Sequence, residues 1–234
     1  MNIQKAVFDV VEKGTSTRVV TTLINMALRN PRTRKALLRA TEKAIYRAAM
    51  NGPSRPRRVY LDRYYLGRAL LNSIHRAFSS GHLSSEVINK LAHVFFGKIL
   101  LTGIHTRRKF FKEHGFQPPS FITISPTNIC NLKCIGCYAG EVYEKHTLDY
   151  DIFNRIIQDM KKEFAAYFFV ISGGEPFMYK SKGKNLLNIL EENQDAYFMG
   201  YTNGTLINKE IAKRLAQLGN FTLPKLLQPL TTST

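Results

Sequence analysis

All three cysteines of the chain lie within eight residues. They are Cys130, Cys134 and Cys137, and the other residues of the 234 include no further cysteine. An odd, tightly clustered set does not suit the disulfide framework of a secreted protein, and it favours a reducing compartment in which thiolates can bind metal. Three thiolates this close repel one another unless a cation binds between them. The spacing therefore predicts a metal-binding loop.

Zinc and an iron–sulfur cluster differ in the number of protein ligands that they need. A structural zinc site needs four, so it would have to recruit a residue such as His146, which follows Cys137 only after nine residues. A cluster with three protein ligands and one open iron needs the three cysteines alone. The ligand count favours the cluster, and zinc remains the alternative.

Two further motifs follow the cysteine loop along the chain. Residues 172–176 read Ser-Gly-Gly-Glu-Pro, and residues 201–205 read Tyr-Thr-Asn-Gly-Thr. Each motif alone is ordinary turn chemistry. Each one, however, directly follows an apolar run of strand length, as the cysteine loop does. The three motifs therefore belong to three successive strand ends.

The elements that must position these motifs alternate between strand and helix. We predict strands at 121–125, 166–172 and 196–202, and helices at 149–164, 185–193 and 208–219. Asp149 and Asn208 are predicted to cap the first and third helices, and Gly219 to end the third. This alternation predicts βαβ units and a parallel sheet, whose strands end at one edge. The pattern alone does not distinguish a (β/α) barrel from an open sheet.

Taken together, the three motifs resemble the signature of the radical S-adenosylmethionine (radical SAM) enzymes, over residues 120–218. The resemblance implies a partial (β/α) barrel of radical SAM type, comprising its first three βα units. It implies that Cys130, Cys134 and Cys137 ligate a 4Fe-4S cluster whose fourth iron is chelated by S-adenosyl-L-methionine. The residues implied to bind this cosubstrate are Gly173, Gly174, Glu175, Pro176 and Asn203, with Glu175 and the glycine backbone receiving its amino group.

The resemblance also implies an activity. A radical SAM enzyme is an oxidoreductase that cleaves S-adenosylmethionine reductively to a 5′-deoxyadenosyl radical, which abstracts hydrogen from a substrate. The substrate of this chain is unknown, and a low-potential ferredoxin or flavodoxin is the implied electron donor. The clustered thiols suit a reducing interior such as the cytoplasm.

The chain departs from the family pattern at two places. Gly136 occupies the position before the last cysteine, where the family often has an aromatic residue, and Tyr138 follows one residue after that cysteine. Only three of six βα units are recognisable, and residues 220–234 are predicted to be an irregular tail. We therefore expect a truncated core. The alternative function is a catalytically inactive protein that binds an iron–sulfur cluster or zinc and acts through its other half.

That other half is strongly basic. Residues 1–118 contain 22 Lys and Arg against 6 Asp and Glu, a balance of +16, whereas residues 119–234 contain 12 against 11. Apolar residues recur at helical spacing, so we predict an all-α domain over 1–115, the partial core over 116–219 and the tail beyond it. A solvated basic face is the plainest interpretation of the charge. Among functional interpretations, binding to an anionic membrane surface is favoured. Binding to nucleic acid is less favoured because the sequence has no base-reading module.

The N-terminal sequence lacks the order of a secretory signal, and its apolar runs are shorter than the about 20 residues that span a bilayer. We therefore predict a cytoplasmic protein, with membrane association through the basic half as the alternative.

Overall fold

The structure is a computed structural model, and it describes residues 26, 30–50, 56–79, 85–90, 93–94, 98, 103–119, 121–139 and 144–223. It divides into two compact units, residues 1–88 and 89–234. None of the helices within the described ranges is both long and apolar enough to cross a membrane. The predicted boundary near residue 115 stays a prediction.

Two long helices make up most of the described part of the first unit. Helix α1 is Pro31–Met50 and helix α2 is Arg57–Ser79. Pro31 suits the first helical position because it has no N–H to satisfy. The two helices pack through an edge-to-face contact of Tyr46 with Tyr64 and a 2.9 Å hydrogen bond from the Tyr64 hydroxyl to Glu42. Both helices agree with the helical spacing of apolar residues in this half, while an all-α domain over 1–115 stays a prediction because much of residues 1–29 lies outside the described ranges.

The second unit contains a parallel sheet flanked by helices. Helix α3, Ser85–Lys90, spans the division between the units, and α4 is Gly103–His114. The remaining elements follow in chain order: β1 Phe121–Ile124, α5 Tyr150–Phe164, β2 Phe168–Ile171, a 3-10 helix Pro176–Met178, β3 Lys180–Ser181, β4 Lys184–Asn185, α6 Leu186–Glu192, β5 Tyr197–Gly200, α7 Lys209–Leu218 and β6 Phe221–Thr222.

The sheet has the strand order β1-β2-β5-β6, and every neighbouring pair is parallel. Its two inner strands are apolar because helices cover them, and the rings of Phe169 and Phe198 stack across them at 5.5 Å. Phe153 and Ile157 of α5 and Leu190 of α6 are fully buried against this layer. The predicted parallel α/β sheet is confirmed, and its closure as part of a barrel stays a prediction.

The predicted helix ends are also confirmed. The Asp149 side chain accepts from the backbone N–H groups of Asp151 and Ile152 at the start of α5. Asn208 caps α7 in the same way, and Gly219 ends it in the left-handed conformation. These residues could be predicted from the sequence because each one satisfies backbone groups that a helix end leaves without a partner.

The region after Gly219 differs from the prediction. Residues 220–234 were expected to be irregular, but Phe221 and Thr222 form β6 and pair with β5. The ring of Phe221 fills the space beside Gly200, where an added Cβ would lie 2.3 Å from it. This two-residue strand is formed by a tertiary contact and is too short to produce a sequence pattern. The hairpin of β3 and β4 was likewise not predicted, and residues 224–234 lie outside the described ranges.

Candidate functional site

The loops after β1, β2 and β5 meet at one edge of the sheet, as the parallel topology requires. The loop after β2 donates two backbone hydrogen bonds to the loop after β1, from Gly174 N to Thr127 O and from Glu175 N to Ile129 O, both at 2.8 Å. These bonds hold the Gly-Gly-Glu-Pro turn against the segment that enters the cysteine loop. The predicted meeting of the motifs therefore occurs.

The two glycines of this turn are required by chain packing. An added Cβ would lie 2.4 Å from Thr127 O at Gly173 and 2.3 Å from Ile129 O at Gly174, and Gly173 also has a φ of +106°. Distances this short exclude any side chain. The glycines thus allow two loops of the chain to approach closely, and the predicted approach of their backbone to a ligand stays a prediction.

Glu175 is the buried centre of the site. Its side chain is 1% exposed, and its carboxylate accepts three hydrogen bonds. The donors are Phe177 N at 3.0 Å, Thr202 Oγ1 at 2.6 Å and Asn203 N at 2.8 Å. The carboxylate therefore ties the loop after β2 to the loop after β5. Its predicted role as the acceptor for a ligand's amino group stays a prediction, as does the part of Pro176, which is buried at the start of the 3-10 helix.

Asn203 links the third motif to the cysteine loop. Its amide nitrogen lies 2.9 Å from Asn131 Oδ1 and 3.7 Å from the sulfur of Cys130. Its amide oxygen accepts from the backbone N–H and the hydroxyl of Thr205, at 3.0 and 2.7 Å. The side chain is thus held by the protein itself while it faces the first cysteine.

The three cysteines are free thiols and all are exposed. A turn closed by a 3.2 Å bond from Cys137 N to Cys134 O brings the last two toward each other, and Gly136 supplies the left-handed residue of that turn. Across the described residues, no three cysteine, histidine or acidic side chains are arranged to hold a metal ion. In number, exposure and chemistry the donor set fits three ligands of an iron–sulfur cluster.

Tyr138 has a structural role that the sequence did not reveal. Its hydroxyl lies 2.7 Å from Ser172 Oγ and accepts a hydrogen bond from Gly173 N at 3.2 Å. The ring itself is exposed. The residue that follows the last cysteine therefore anchors the cysteine loop to the turn after β2. The available signal was that Tyr138 lies two residues after Gly136, the position where the family that the sequence resembles often has an aromatic residue.

A cavity of about 450 Å³ lies beside Tyr138. Residues 125–128, 138–139 and 146–148 and Gly173 line it. His146, the candidate fourth ligand for zinc, is exposed on this side, with its ring nitrogen 3.2 Å from a carboxylate oxygen of Glu144. This volume lies within the range of small-molecule sites, and its walls carry the polar groups that orient a ligand.

Fold and site together define an α/β protein that carries a free cysteine loop and two glycine turns at the carboxyl edge of a parallel sheet. The sequence profile of the Radical SAM superfamily matches residues 124–226, which include all three motifs. The match covers less than half of the chain, and it shows that this segment is similar to the superfamily.

Two curated relatives match part of the chain. It is 35% identical over 95 residues to the Fe-coproporphyrin III synthase of Methanosarcina barkeri, covering 40% of this chain and 23% of that protein. It is 30% identical over 102 residues to the tungsten-containing aldehyde ferredoxin oxidoreductase cofactor-modifying protein of Pyrococcus furiosus, covering 42% and 28%. The chain spans about a quarter of the length of these relatives.

Among solved structures, the chain is similar to Streptococcus suis SuiB. With SuiB bound to S-adenosylmethionine, the TM-score is 0.41 at 21% identity, covering 67% of this chain and 36% of SuiB. With SuiB bound to the precursor peptide SuiA, the TM-score is also 0.41 at 24% identity, covering 53% and 28%.

Proposed function

We propose that this chain is part of a radical SAM enzyme in which Cys130, Cys134 and Cys137 hold a 4Fe-4S cluster. S-adenosyl-L-methionine would bind beside it, against the Gly-Gly-Glu-Pro turn of residues 173–176 and Asn203. The observation that carries the proposal is that the two glycine turns contact the cysteine loop and the segment that enters it, within residues that match the superfamily's sequence profile.

The cluster and its cosubstrate would supply one-electron cleavage of a carbon–sulfur bond and a carbon radical able to abstract hydrogen from the substrate. The residues of this chain would bind the cluster and orient the cosubstrate beside it. The three thiols provide ligands, and the exposed loop leaves them accessible. Glu175 holds the two turns at a fixed separation, and the cavity beside Gly173 is large enough for part of a small cosubstrate.

Iron binding is the first test. After anaerobic reconstitution we expect about four irons per chain and the brown absorption of an iron–sulfur cluster. Replacing Cys130, Cys134 or Cys137 by Ser should each remove most of that iron. Ile135→Ser is the matched control, because Ile135 is fully exposed in the same loop and offers no ligand. A parent chain without iron, or serine variants with the parent's iron content, would refute the proposal.

Formation of 5′-deoxyadenosine then distinguishes an enzyme from an inactive binding protein. A strong reductant, or a low-potential ferredoxin or flavodoxin as the proposed donor, is supplied with S-adenosylmethionine. We expect 5′-deoxyadenosine to form in an amount that rises with the iron–sulfur cluster content of the chain. A chain that holds iron but forms no 5′-deoxyadenosine supports an inactive iron–sulfur protein. A colourless chain that holds zinc supports an inactive zinc-binding protein.

We propose further that the first unit binds an anionic membrane surface, because α1 carries a stripe of basic side chains. The five members recur every three or four residues on one side of the helix, and all are exposed: Arg32, Lys35, Arg39, Lys43 and Arg47. The one acidic residue of α1, Glu42, is engaged by Tyr64 and Arg68. Each basic residue near an anionic membrane gains about 1 kcal/mol.

Vesicle sedimentation tests this second proposal. We expect the chain to sediment with vesicles that contain phosphatidylserine and not with neutral ones, and to be released by salt. Arg39→Gln combined with Lys43→Gln should weaken binding, whereas Arg155→Gln, an exposed arginine of the second unit, should not. Equal binding to both vesicle types, or a shift with DNA in place of vesicles, would contradict membrane binding. The proposed location is the cytoplasm, where free thiols persist.

A further inference from the structure

Two N–H groups point at the sulfur of Cys130. One is the backbone N–H of Leu132 in the same loop, at 3.4 Å, and the other is the side-chain amide of Asn203, at 3.7 Å. Both distances lie within the range of hydrogen bonds to sulfur, which exceeds that to oxygen. The second donor comes from the loop after β5, 73 residues further along the chain, so only the fold brings it to this sulfur.

The orientation of the Asn203 amide is determined by its neighbours. Its oxygen accepts two hydrogen bonds from Thr205, and its nitrogen donates to Asn131. Reversing the amide would place its oxygen against Asn131 Oδ1 and its nitrogen against the Thr205 backbone N–H, which cannot accept. The amide nitrogen, and not the oxygen, therefore faces the sulfur.

The loop that carries this amide is itself anchored. The Asn203 backbone N–H donates to the buried carboxylate of Glu175, and Asn131 Nδ2 donates to Thr205 Oγ1 at 2.8 Å. Asn203 is thus held from its main chain and from both ends of its amide. Such a donor is in place before any ligand binds, so it loses little freedom when it acts.

We propose that Asn203 sets the reduction potential of the bound cluster by donating an N–H···S hydrogen bond to the Cys130 thiolate. This inference rests on the proposed function. In the step concerned, one electron passes from a low-potential one-electron donor to the cluster, and no bond breaks. The added negative charge is shared by the sulfur ligands, so a hydrogen-bond donor stabilises the reduced state and raises the potential. Asn203 would be a positioning residue that acts through Cys130.

Redox titration of the reconstituted chain, followed by electron paramagnetic resonance, tests this assignment. Asn203→Leu removes the donor, and Asn203→Asp replaces it with a carboxylate oxygen while keeping an acceptor for Thr205. We expect both variants to keep the parent's iron content. The midpoint potential should fall in the Leu variant and fall further in the Asp variant, because a negative charge then faces the thiolate. Thr205→Ser keeps the hydroxyl in the same loop and should leave the potential unchanged.

The outcomes separate this inference from the proposed function. A parent chain that binds no iron overturns both. A parent chain with a cluster whose potential is the same in both Asn203 variants overturns only the role of Asn203. Loss of iron in both variants also overturns it, since Asn203 would then hold the loop together and not tune the metal.

Discussion

The carboxylate of Glu175 accepts a hydrogen bond from the backbone N–H of Asn203 at 2.8 Å, which joins the loop after β2 to the loop after β5. Because the Asn203 amide in turn lies against the Cys130 sulfur, one buried side chain connects all three sequence motifs. Glu175 thus has a role that does not require a ligand.

Glu175→Ala should destabilise the second unit strongly. The substitution leaves two backbone N–H groups and one hydroxyl without their buried acceptor, and hydrogen bonds to a charged group contribute about 1.5–3 kcal/mol each. We expect a loss of more than about 3 kcal/mol in the free energy of unfolding, measured by urea titration with circular dichroism. Glu191→Ala, which removes an exposed ion pair with Arg214, should cost less than about 1 kcal/mol. Equal losses in the two variants would rule out this role for Glu175.

Gly174→Ala should separate the glycine turn from the cysteine loop. The new Cβ would lie 2.3 Å from the main-chain oxygen of Ile129, and its own position is fixed by the main chain, so relief requires the loops to move apart. We expect a loss of about 3 kcal/mol in stability together with a lower iron content after reconstitution. Gly183→Ala is the control, because Gly183 has a φ of +74° but an added Cβ would meet no atom within 4 Å. This substitution should lower the stability by about 1 kcal/mol and leave iron binding intact. Iron binding by Gly174→Ala at the parent's level would argue against the contact.

Tyr138→Phe should loosen the cysteine loop without unfolding the chain. It removes the hydroxyl that contacts Ser172 Oγ and Gly173 N, and the exposed position limits the cost to about 1 kcal/mol. The measurement is amide hydrogen exchange, which we expect to become faster at Gly173. Tyr201→Phe changes another exposed tyrosine and should leave that amide unaffected. Unchanged exchange at Gly173 in the Tyr138 variant would mean that the anchor does not form in solution.

Acid should weaken the cap of α5. The Lys182 ammonium, together with the backbone N–H groups of Asp151 and Ile152, holds the pKa of Asp149 below its ordinary value. Because this pKa is lowered by folding, the cap stabilises the folded state fully when the pH is above the pKa of Asp149 in the unfolded chain, about 3.9. The stabilisation is lost as the pH falls through the pKa of Asp149 in the folded chain. Asp149→Asn can still cap the helix but no longer titrates, so unfolding measured from about pH 6 to about pH 2 should show a shallower loss of stability.

Lys182→Met is the matched control for that measurement. It removes the largest cause of the lowered pKa while the carboxylate stays, so the acid-dependent loss should again shrink. A loss as steep as the parent's in both variants would show that another group dominates the acid response.

Much of the second unit was predictable because its signals are local. The apolar runs that became β2 and β5 have the length and composition of buried strands, and Asp149, Asn208 and Gly219 act within one helical turn of themselves. β6 was not predictable in the same way. Phe221 joins the sheet because Gly200 leaves space for its ring, and that contact spans 21 residues of sequence.

The candidate site likewise has features that could be predicted from the local sequence and contacts that could not. The residue types and spacing of Cys130, Cys134 and Cys137 predict a metal-binding loop, and the three motifs predicted the superfamily whose sequence profile matches this segment. The contacts of Tyr138 with Ser172 and Gly173 could not be predicted. They join residues about 35 positions apart, and no periodicity or turn signal specifies which side chain crosses between two loops.

The sequence by itself determined the alternation of strands and helices, the helix caps and the presence of three thiols in one loop, because propensity, capping and ligand chemistry are properties of neighbouring residues. Only the tertiary structure decided that the buried Glu175 accepts hydrogen bonds from the loop after β5 and that Asn203 faces Cys130. The physical reason is that a parallel sheet gathers the ends of its strands at one edge, where residues far apart in the chain must satisfy one another's hydrogen bonds.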